Sequence, residues 1–172
     1  MDEERILGAI PDAHHEPARP PAPDWLFGGP PRPEERGGLF HGPRLRYDLL
    51  ITDRRLIVVP VTGAAPRERE AGYGAATTAD LITGTPGCNS VGPADVTDVV
   101  VDQLLVNVGE YASDTATDVV LRSPAGGETR FRALNVERRV EDVVALLAPA
   151  FGPKVRRARI VRHGLLRRAT RE

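Results

Sequence analysis

The sequence is poor in cysteine and aromatic residues, and it has no long apolar run. Cys88 is the only cysteine among 172 residues, so no disulfide can form within the chain. No stretch of about 18 consecutive apolar residues occurs, which argues against a membrane-spanning helix. The first residues, Met-Asp-Glu-Glu-Arg, lack the apolar core of a secretion signal. Together these absences predict a cytoplasmic protein.

The residue spacings that mark metal sites are also missing. Four histidines and one cysteine are present, but none of the Cys/His spacings of zinc sites occurs. Asp95, Asp98 and Asp102 lie close together in sequence, yet the neighbouring residues do not supply the further ligands that a divalent cation needs. We therefore expect no metal and read these aspartates as solvated residues of strands and turns.

No motif of a catalytic or nucleotide-binding site appears. The glycine-rich fragment at 72–74 has no apolar strand before it and no Gly-Lys-Ser/Thr after it, so it does not match a nucleotide-binding loop. Cys88 and His41 form a conceivable nucleophile pair, but a free thiol in the core or a loop is the simpler interpretation. The sequence thus predicts a protein without enzymatic activity or cofactor.

Positive charge is concentrated at one end of the chain. Residues 154–172 carry a net charge of +7 and leave the rest at −8, within an overall charge of −1. Four interpretations fit this segment: a solvated disordered end, a membrane-surface segment, a nucleic-acid-binding segment, and a segment that folds back on the acidic body. Its basic residues, the candidate binding residues, are Lys154, Arg156, Arg157, Arg159, Arg162, Arg167, Arg168 and Arg171.

Two segments have the composition of inserts. Residues 11–43 are dense in proline and glycine, which predicts a long loop with polyproline II character. Trp25, Leu26 and Phe27 interrupt this polar run and either hold the loop against the domain or form a docking motif for a partner. Residues 62–90 are rich in glycine, alanine and threonine. This second segment predicts a low-complexity insert with a short strand at 80–83.

A β-hairpin is the clearest local structure. Two apolar β-branched runs, 46–51 and 56–61, flank the polar turn Thr52-Asp53-Arg54-Arg55. In that turn, we expect the Thr52 and Asp53 side chains to bond turn backbone and the two arginines to form a cross-strand ion pair. Further strands are predicted at 96–106, 118–122 and 128–134, with a strand or helical turn at 3–10.

An amphipathic helix follows the strands. Asn135 is a favourable N-cap, and the apolar residues Val136, Val140, Val143, Val144 and Leu147 recur at helical spacing. Pro149 and then Gly152-Pro153 predict its end. The fold class is therefore mainly β with one C-terminal helix.

The hairpin resembles one that recurs in bacterial PH-like and GRAM-like domains, where an apolar strand ends in Thr, an Asn or Asp and one or two basic residues. A second similarity is Val91-Gly92-Pro93-Ala94-Asp95-Val96-Thr97-Asp98-Val99, a strand entered by an acidic residue. The resemblance covers residues 3–10 and 44–151 without the inserts. It implies a PH-like split β-barrel, with the helix closing one open end, over residues 1–152, followed by a basic tail over 153–172.

The resemblance also bears on function. Lipid-binding PH domains carry basic residues around the first hairpin loop, and this place is taken here by the proline-rich insert, with only Arg19, Arg32 and Arg36. We predict a binding module that acts as an adaptor for a protein partner or for an anionic surface at the inner face of the membrane. The alternatives are association with nucleic acid or the ribosome through the tail, and a small-molecule binder or enzyme that uses the barrel mouth.

Overall fold

The computed structural model describes residues 3–16, 46–61, 66–107, 113–134, 136, 138–158, 160–163 and 168–171. Short 3₁₀ turns lie at Pro93–Asp95 and Gly152–Lys154. The helices are α1 (Pro66–Ala75), α2 (Thr78–Gly84) and α3 (Val140–Phe151). The strands are β1 (Ile6–Glu16), β2 (Arg46–Thr52), β3 (Leu56–Pro60), β4 (Asn89–Val91), β5 (Asp98–Asn107), β6 (Ser113–Arg122), β7 (Glu128–Leu134), β8 (Val155–Arg157), β9 (Ile160–His163) and β10 (Arg168–Arg171).

Eight of the strands form one open mixed sheet. Their order is β4-β3-β2-β1-β7-β6-β5-β8, and every pair is antiparallel except β5 and β8. The edge strands β4 and β8 do not pair with each other, so the predicted barrel is not closed. The prediction of a mainly β fold with a C-terminal helix is confirmed. Strands β9 and β10 form a separate two-stranded sheet.

Strand β1 joins the two halves of the large sheet. Its first part pairs with β2, and its last residues pair with β7, with His14 opposite Arg132. A register shift separates the pair Ile10–Leu49 from the pair Ala13–Tyr47, and Asp12 at this bulge has a φ of 53°. Bulges of this kind bend a strand and increase its twist. The bend lets one strand take part in both halves.

The main core lies between the sheet and α3. Val143, Leu147 and Phe151 on one side of the helix pack against inward-facing side chains of the strands, such as Leu49 and Val119. These residues are 3% exposed or less. Since each such side chain contributes roughly 1.5–3 kcal/mol on burial, the helix is an integral part of the fold.

The hairpin of β2 and β3 lies where the sequence predicts it, and so does the turn between β6 and β7. In that turn the Ser123 amide donates to the Gly127 carbonyl at 2.8 Å, and Gly126 has a φ of 83°. A positive φ is accessible to glycine at little cost, which explains the glycine at position 126.

Several predicted boundaries are wrong. Strand β1 continues to Glu16, into the segment predicted as a loop. The predicted strand at 80–83 is part of helix α2, and the insert at 62–90 also holds α1 and β4. Helix α3 begins at Val140, after Arg139 as N-cap, and Pro149 lies inside its last turn.

The segment predicted as a basic tail begins within the sheet. Residues 152–154 form a 3₁₀ turn and Val155–Arg157 form β8. In the part of the chain that the structure describes, no helix has the length and apolar composition needed to cross a bilayer.

Candidate functional site

The predicted turn at Thr52–Arg55 is built around one hydroxyl. The Thr52 Oγ1 accepts hydrogen bonds from the amides of Arg54 and Arg55 at 3.1 and 2.9 Å, as expected from the sequence. Asp53 instead accepts from the Arg5 amide at 3.1 Å, so its side chain ties the turn to the residues before β1. Here the expectation that Asp53 bonds turn backbone is wrong, while that for Thr52 is right.

Arg55 forms an ion pair, but its partner is Glu4, which precedes β1, so this is not the cross-strand pair expected from the sequence. The Arg55 Nη2 lies 2.6 Å from Glu4 Oε2, and the Thr52 and Thr78 hydroxyls lie 2.7 and 3.1 Å from the same carboxylate. The Glu4 side chain is 7% exposed. The hydrogen bond from Arg55, opposed by burial and reinforced by the threonines, lowers the pKa of Glu4 from 4.5 to about 2. This carboxylate is therefore ionised and occupied by donors near neutral pH.

A second, more deeply buried cluster surrounds Asp48 on β2. Arg69 on α1 donates to both carboxylate oxygens, from Nε at 2.6 Å and from Nη2 at 3.0 Å. The Tyr73 hydroxyl and the Asp12 amide donate at 2.8 and 2.9 Å. The Asp48 and Arg69 side chains are 1% and 7% exposed. Four donors thus converge on one buried carboxylate.

These contacts fix the charge state of the cluster. Burial opposes ionisation of Asp48, but the donors from Arg69, Asp12 and Tyr73 outweigh it and lower the pKa of this carboxyl. Burial and the hydrogen bond to Asp48 raise the pKa of Tyr73. Removing one partner of such a buried pair costs several kcal/mol because a charge is left uncompensated. The cluster is well suited to attach α1 to the sheet.

A chain of alternating charges crosses the outer side of β8, β5, β6 and β7; we call it the arginine face. Bidentate bonds of 2.7 and 2.8 Å join Arg132 to Asp118, which is 3% exposed. The other pairs range from 2.9 to 3.8 Å. Its members are Asp98, Asp118, Arg122, Glu128, Arg130, Arg132 and Arg156.

Two apolar side chains lie in the same strands and are buried outside the main core. Val100 and Val120 are 4% and 6% exposed and face each other across β5 and β6. Asp98 and Arg122 are also opposite each other across β5 and β6, two residues along each strand from Val100 and Val120. Residues two positions apart in a strand lie on the same face of the sheet, so all four share one face. The aliphatic parts of long arginine side chains commonly cover such positions. The arginine face thus combines apolar area with paired charges.

The first basic residues of the C-terminal segment contact the body of the protein. The Lys154 Nζ donates to the carbonyls of Pro93 and Val96 at 2.6 and 2.8 Å. Arg156 bonds Asp98 at 2.9 Å and lowers the pKa of that carboxyl. Arg157 lies 2.6 Å from Glu141 on α3. For these three residues the structure agrees with the alternative in which the segment folds back on the acidic body.

For the remaining predicted binding residues, the structure describes either the strand position alone or nothing. Arg162 lies in β9, and Arg168 and Arg171 lie in β10, where they pair with Ala169, His163 and Ile160 respectively. Arg159 and Arg167 lie outside the described residues, and so do Trp25, Leu26 and Phe27. The structure thus does not test the docking prediction for that trio. Arg54 lies within the hairpin turn and is exposed.

The described ranges hold no group of three or more His, Cys, Asp or Glu residues arranged to bind a metal ion. Cys88 is partly buried against Leu50, Ile57 and Val59, and this burial raises the pKa of its thiol. A raised pKa reduces the thiolate fraction and with it the reactivity of the cysteine.

The Asp48 cluster could not be found by sequence reasoning alone. Its helix lies in a segment of low-complexity composition, and the only local signal is that Arg69 and Tyr73 are four residues apart, one helical turn. Their acceptor is on β2, 21 positions before Arg69. No family model, no curated protein and no solved structure was found to match this chain.

Proposed function

We propose that this chain is a non-enzymatic binding module of PH-like architecture, acting as a cytosolic adaptor for a protein partner or an anionic membrane surface. The PH-like part of the proposal is supported by seven strands that precede helix α3. Strand β1 pairs with both β2 and β7. Helix α3 packs on the inner side of the sheet, as the resemblance implies for the C-terminal helix of a split barrel.

The non-enzymatic part is supported by how the buried acids are used. The carboxylates of Asp48, Glu4 and Asp118 are each 7% exposed or less, and each accepts bidentate bonds from an arginine. A general acid or base needs a proton that can leave or arrive near the working pH. Carboxylates held in this way serve attachment rather than proton transfer.

The arginine face is the observation that favours a protein partner over a lipid surface. Each of its four arginines forms an ion pair with a carboxylate, so the face presents alternating charges instead of a cluster of cations. Arginine is enriched at protein interfaces, and complementary charges fix the register of partners. We therefore assign protein binding to this face and assign anionic surfaces to the basic residues beyond Arg157.

Two variants of the full chain separate these sites. The first replaces Arg122 and Arg130 on the arginine face by alanine; both are 37% exposed. The second replaces Arg162, Arg168 and Arg171 by serine. A matched control replaces Arg5 and Arg54, exposed arginines elsewhere, by alanine. Chemical crosslinking in a bacterial lysate, read by quantitative mass spectrometry, should lose the same specific partner only in the first variant.

Co-sedimentation with vesicles tests the membrane part. The vesicles contain either phosphatidylcholine alone or added phosphatidylglycerol, at low and high salt. Binding to anionic vesicles that is lost in the second variant and at high salt would assign this function to the C-terminal segment. If neither the crosslinking nor the vesicles show specific, variant-sensitive binding, the proposal is wrong.

The charge of the C-terminal segment also supports nucleic-acid binding as a second candidate. Lys154, Arg156 and Arg157 contact the body. We assign phosphate contacts to the other five of its eight basic residues, whose side chains lie outside the described part of the chain. Affinity for duplex DNA or RNA should then fall steeply with salt, with a log–log slope of roughly −3 to −5. The serine variant should reduce that slope by about the number of arginines removed.

A further inference from the structure

The hairpin of β2 and β3 has apolar side chains on both of its faces. Leu49, Ile51 and Leu56 belong to the main core, whereas Leu50, Ile57 and Val59 form a separate cluster on the opposite face. This alternation follows from the period of two in a strand. The second cluster is covered by partly buried side chains: Tyr73, Leu81 and Ile82 of α1 and α2, together with Ile6, Ala9 and Cys88.

Helix α1 has little intrinsic stability. Gly72 and Gly74 lie within it, and a Cβ added at either would meet no atom within 4 Å. Packing therefore does not require glycine at these positions. Glycine in a helix interior makes the helix less stable than alanine does. The helix must be held in place by contacts with the sheet.

Those contacts converge on a few atoms. Arg69 and Tyr73 both donate to the Asp48 carboxylate, and they are the deep polar attachment of α1. At the start of α2, Thr78 donates to Glu4 at 3.1 Å. Only two residues separate the helices, and Thr77 accepts the Asp80 amide as N-cap of α2. Arg69 also donates to Asp12 on β1 at 3.0 Å. The two helices are thus joined tightly to each other, and their polar attachments to the rest of the fold lie at Asp48, Asp12 and Glu4.

We infer that residues 66–84 form a strap that releases from the outer face of β2 and β3 as one cooperative unit, while the main core stays folded. Release breaks the bonds at Asp48, Asp12 and Glu4 and exposes Leu50, Ile57 and Val59 to solvent. The main core is unaffected because its residues lie on the other face of the sheet. Local opening of such units below the free energy of global unfolding is known from hydrogen exchange. The inference does not rest on the proposed binding function.

Hydrogen–deuterium exchange of the full chain under native conditions tests the strap. Amides of residues 66–84 should exchange faster than those of β5 and β6. The variant Gly72→Ala/Gly74→Ala should slow exchange in the strap by roughly 10-fold or more, because each alanine favours the helical state. Exchange in β5 and β6 should not change by the same factor.

A second variant, Asp48→Asn, weakens the attachment and should speed exchange in the strap alone, with increased binding of an apolar fluorescent dye. Asp53→Asn is the matched control, because that carboxylate lies in the hairpin turn and does not contact α1. Suppose that the strap exchanges at the same rate as β5 and β6 in the natural chain, and that Gly72→Ala/Gly74→Ala changes both rates by the same factor. The strap then does not open separately. That result would overturn the inference even if Asp48→Asn failed to fold.

Discussion

Replacing Glu4 by glutamine tests the energetic role of its buried ion pair with Arg55. The pKa of Glu4 falls from 4.5 to about 2 on folding, chiefly through the Arg55 hydrogen bond. One pKa unit corresponds to about 1.4 kcal/mol, so the ionised form should contribute about 3 kcal/mol to the free energy of unfolding at pH 7. Arg55 itself is 37% exposed and can be rehydrated, which makes this value an upper figure.

The stabilisation by the Glu4–Arg55 pair should decrease as the pH falls. Because the folded-state pKa lies below the unfolded-state value, the stabilisation is complete well above pH 4.5 and is lost as the pH falls toward 2. The natural chain and Glu4→Gln should therefore differ by about 3 kcal/mol at pH 7 and by roughly 1.5 kcal/mol at pH 3. Urea unfolding followed by circular dichroism at pH 7, 5 and 3 measures this difference directly.

Asp53→Asn in the same turn serves as the control. The Asp53 Oδ2 lies 3.7 Å from the Nε of Arg5, whose side chain is 79% exposed. Because exposed ion pairs contribute little, the substitution should lower the free energy of unfolding by less than about 0.5 kcal/mol at pH 7 and at pH 3. A Glu4→Gln variant within 0.5 kcal/mol of the natural chain, or a difference that stays constant from pH 7 to pH 3, would refute the reasoning.

Three further substitutions test other parts of the fold by urea unfolding. Thr52→Val removes the acceptor of the Arg54 and Arg55 amides and should cost about 1–3 kcal/mol, with recovery in Thr52→Ser; an equal loss in both variants would contradict this. Gly126→Ala forces a side chain into a φ of 83° and should cost about 1 kcal/mol, whereas no change would show that the turn adapts. Leu147→Ala opens the main core under α3 and should cost about 2–5 kcal/mol; a smaller loss would mean that the core collapses around the gap.

The hairpin and the β6–β7 turn could be predicted because their signals are local. Alternating apolar residues, the Thr52 turn and the Gly126-Gly127 pair each act within a few positions. The helical stripe that includes Val143 and Leu147 also depends only on spacing along the chain. The hairpin and the turn therefore lie where the sequence places them, and so does the helix apart from its start, which is at Val140 instead of after Asn135.

The extent of β1 could not be predicted because of Pro11. A proline normally argues against a strand, since it removes a ladder donor. Here Pro11 lies at the bulge between the pairs Ile10–Leu49 and Ala13–Tyr47, where the ladder is interrupted. The bulge also turns the Asp12 amide toward Asp48. Only the tertiary partner explains why the strand continues.

The helices of the strap were missed for a related reason. Gly72 and Gly74 lower the helical signal, and the residues between 66 and 75 show little apolar periodicity. Contacts with Asp48 on β2 decide the conformation, and these depend on positions far away in the sequence. The spacing of four residues between Arg69 and Tyr73 is the only local feature of the sequence that indicates these contacts.

The double pairing of β1 constrains the order in which the protein folds. His14 pairs with Arg132, more than a hundred positions later, whereas β2–β3 and β5–β6–β7 are each continuous meanders. During synthesis, the edge of β1 that faces β7 must remain without this partner until residues 128–134 have emerged from the ribosome. Contacts of such long sequence separation slow folding. We expect the joining of the two meanders through β1 to be the late, rate-limiting step.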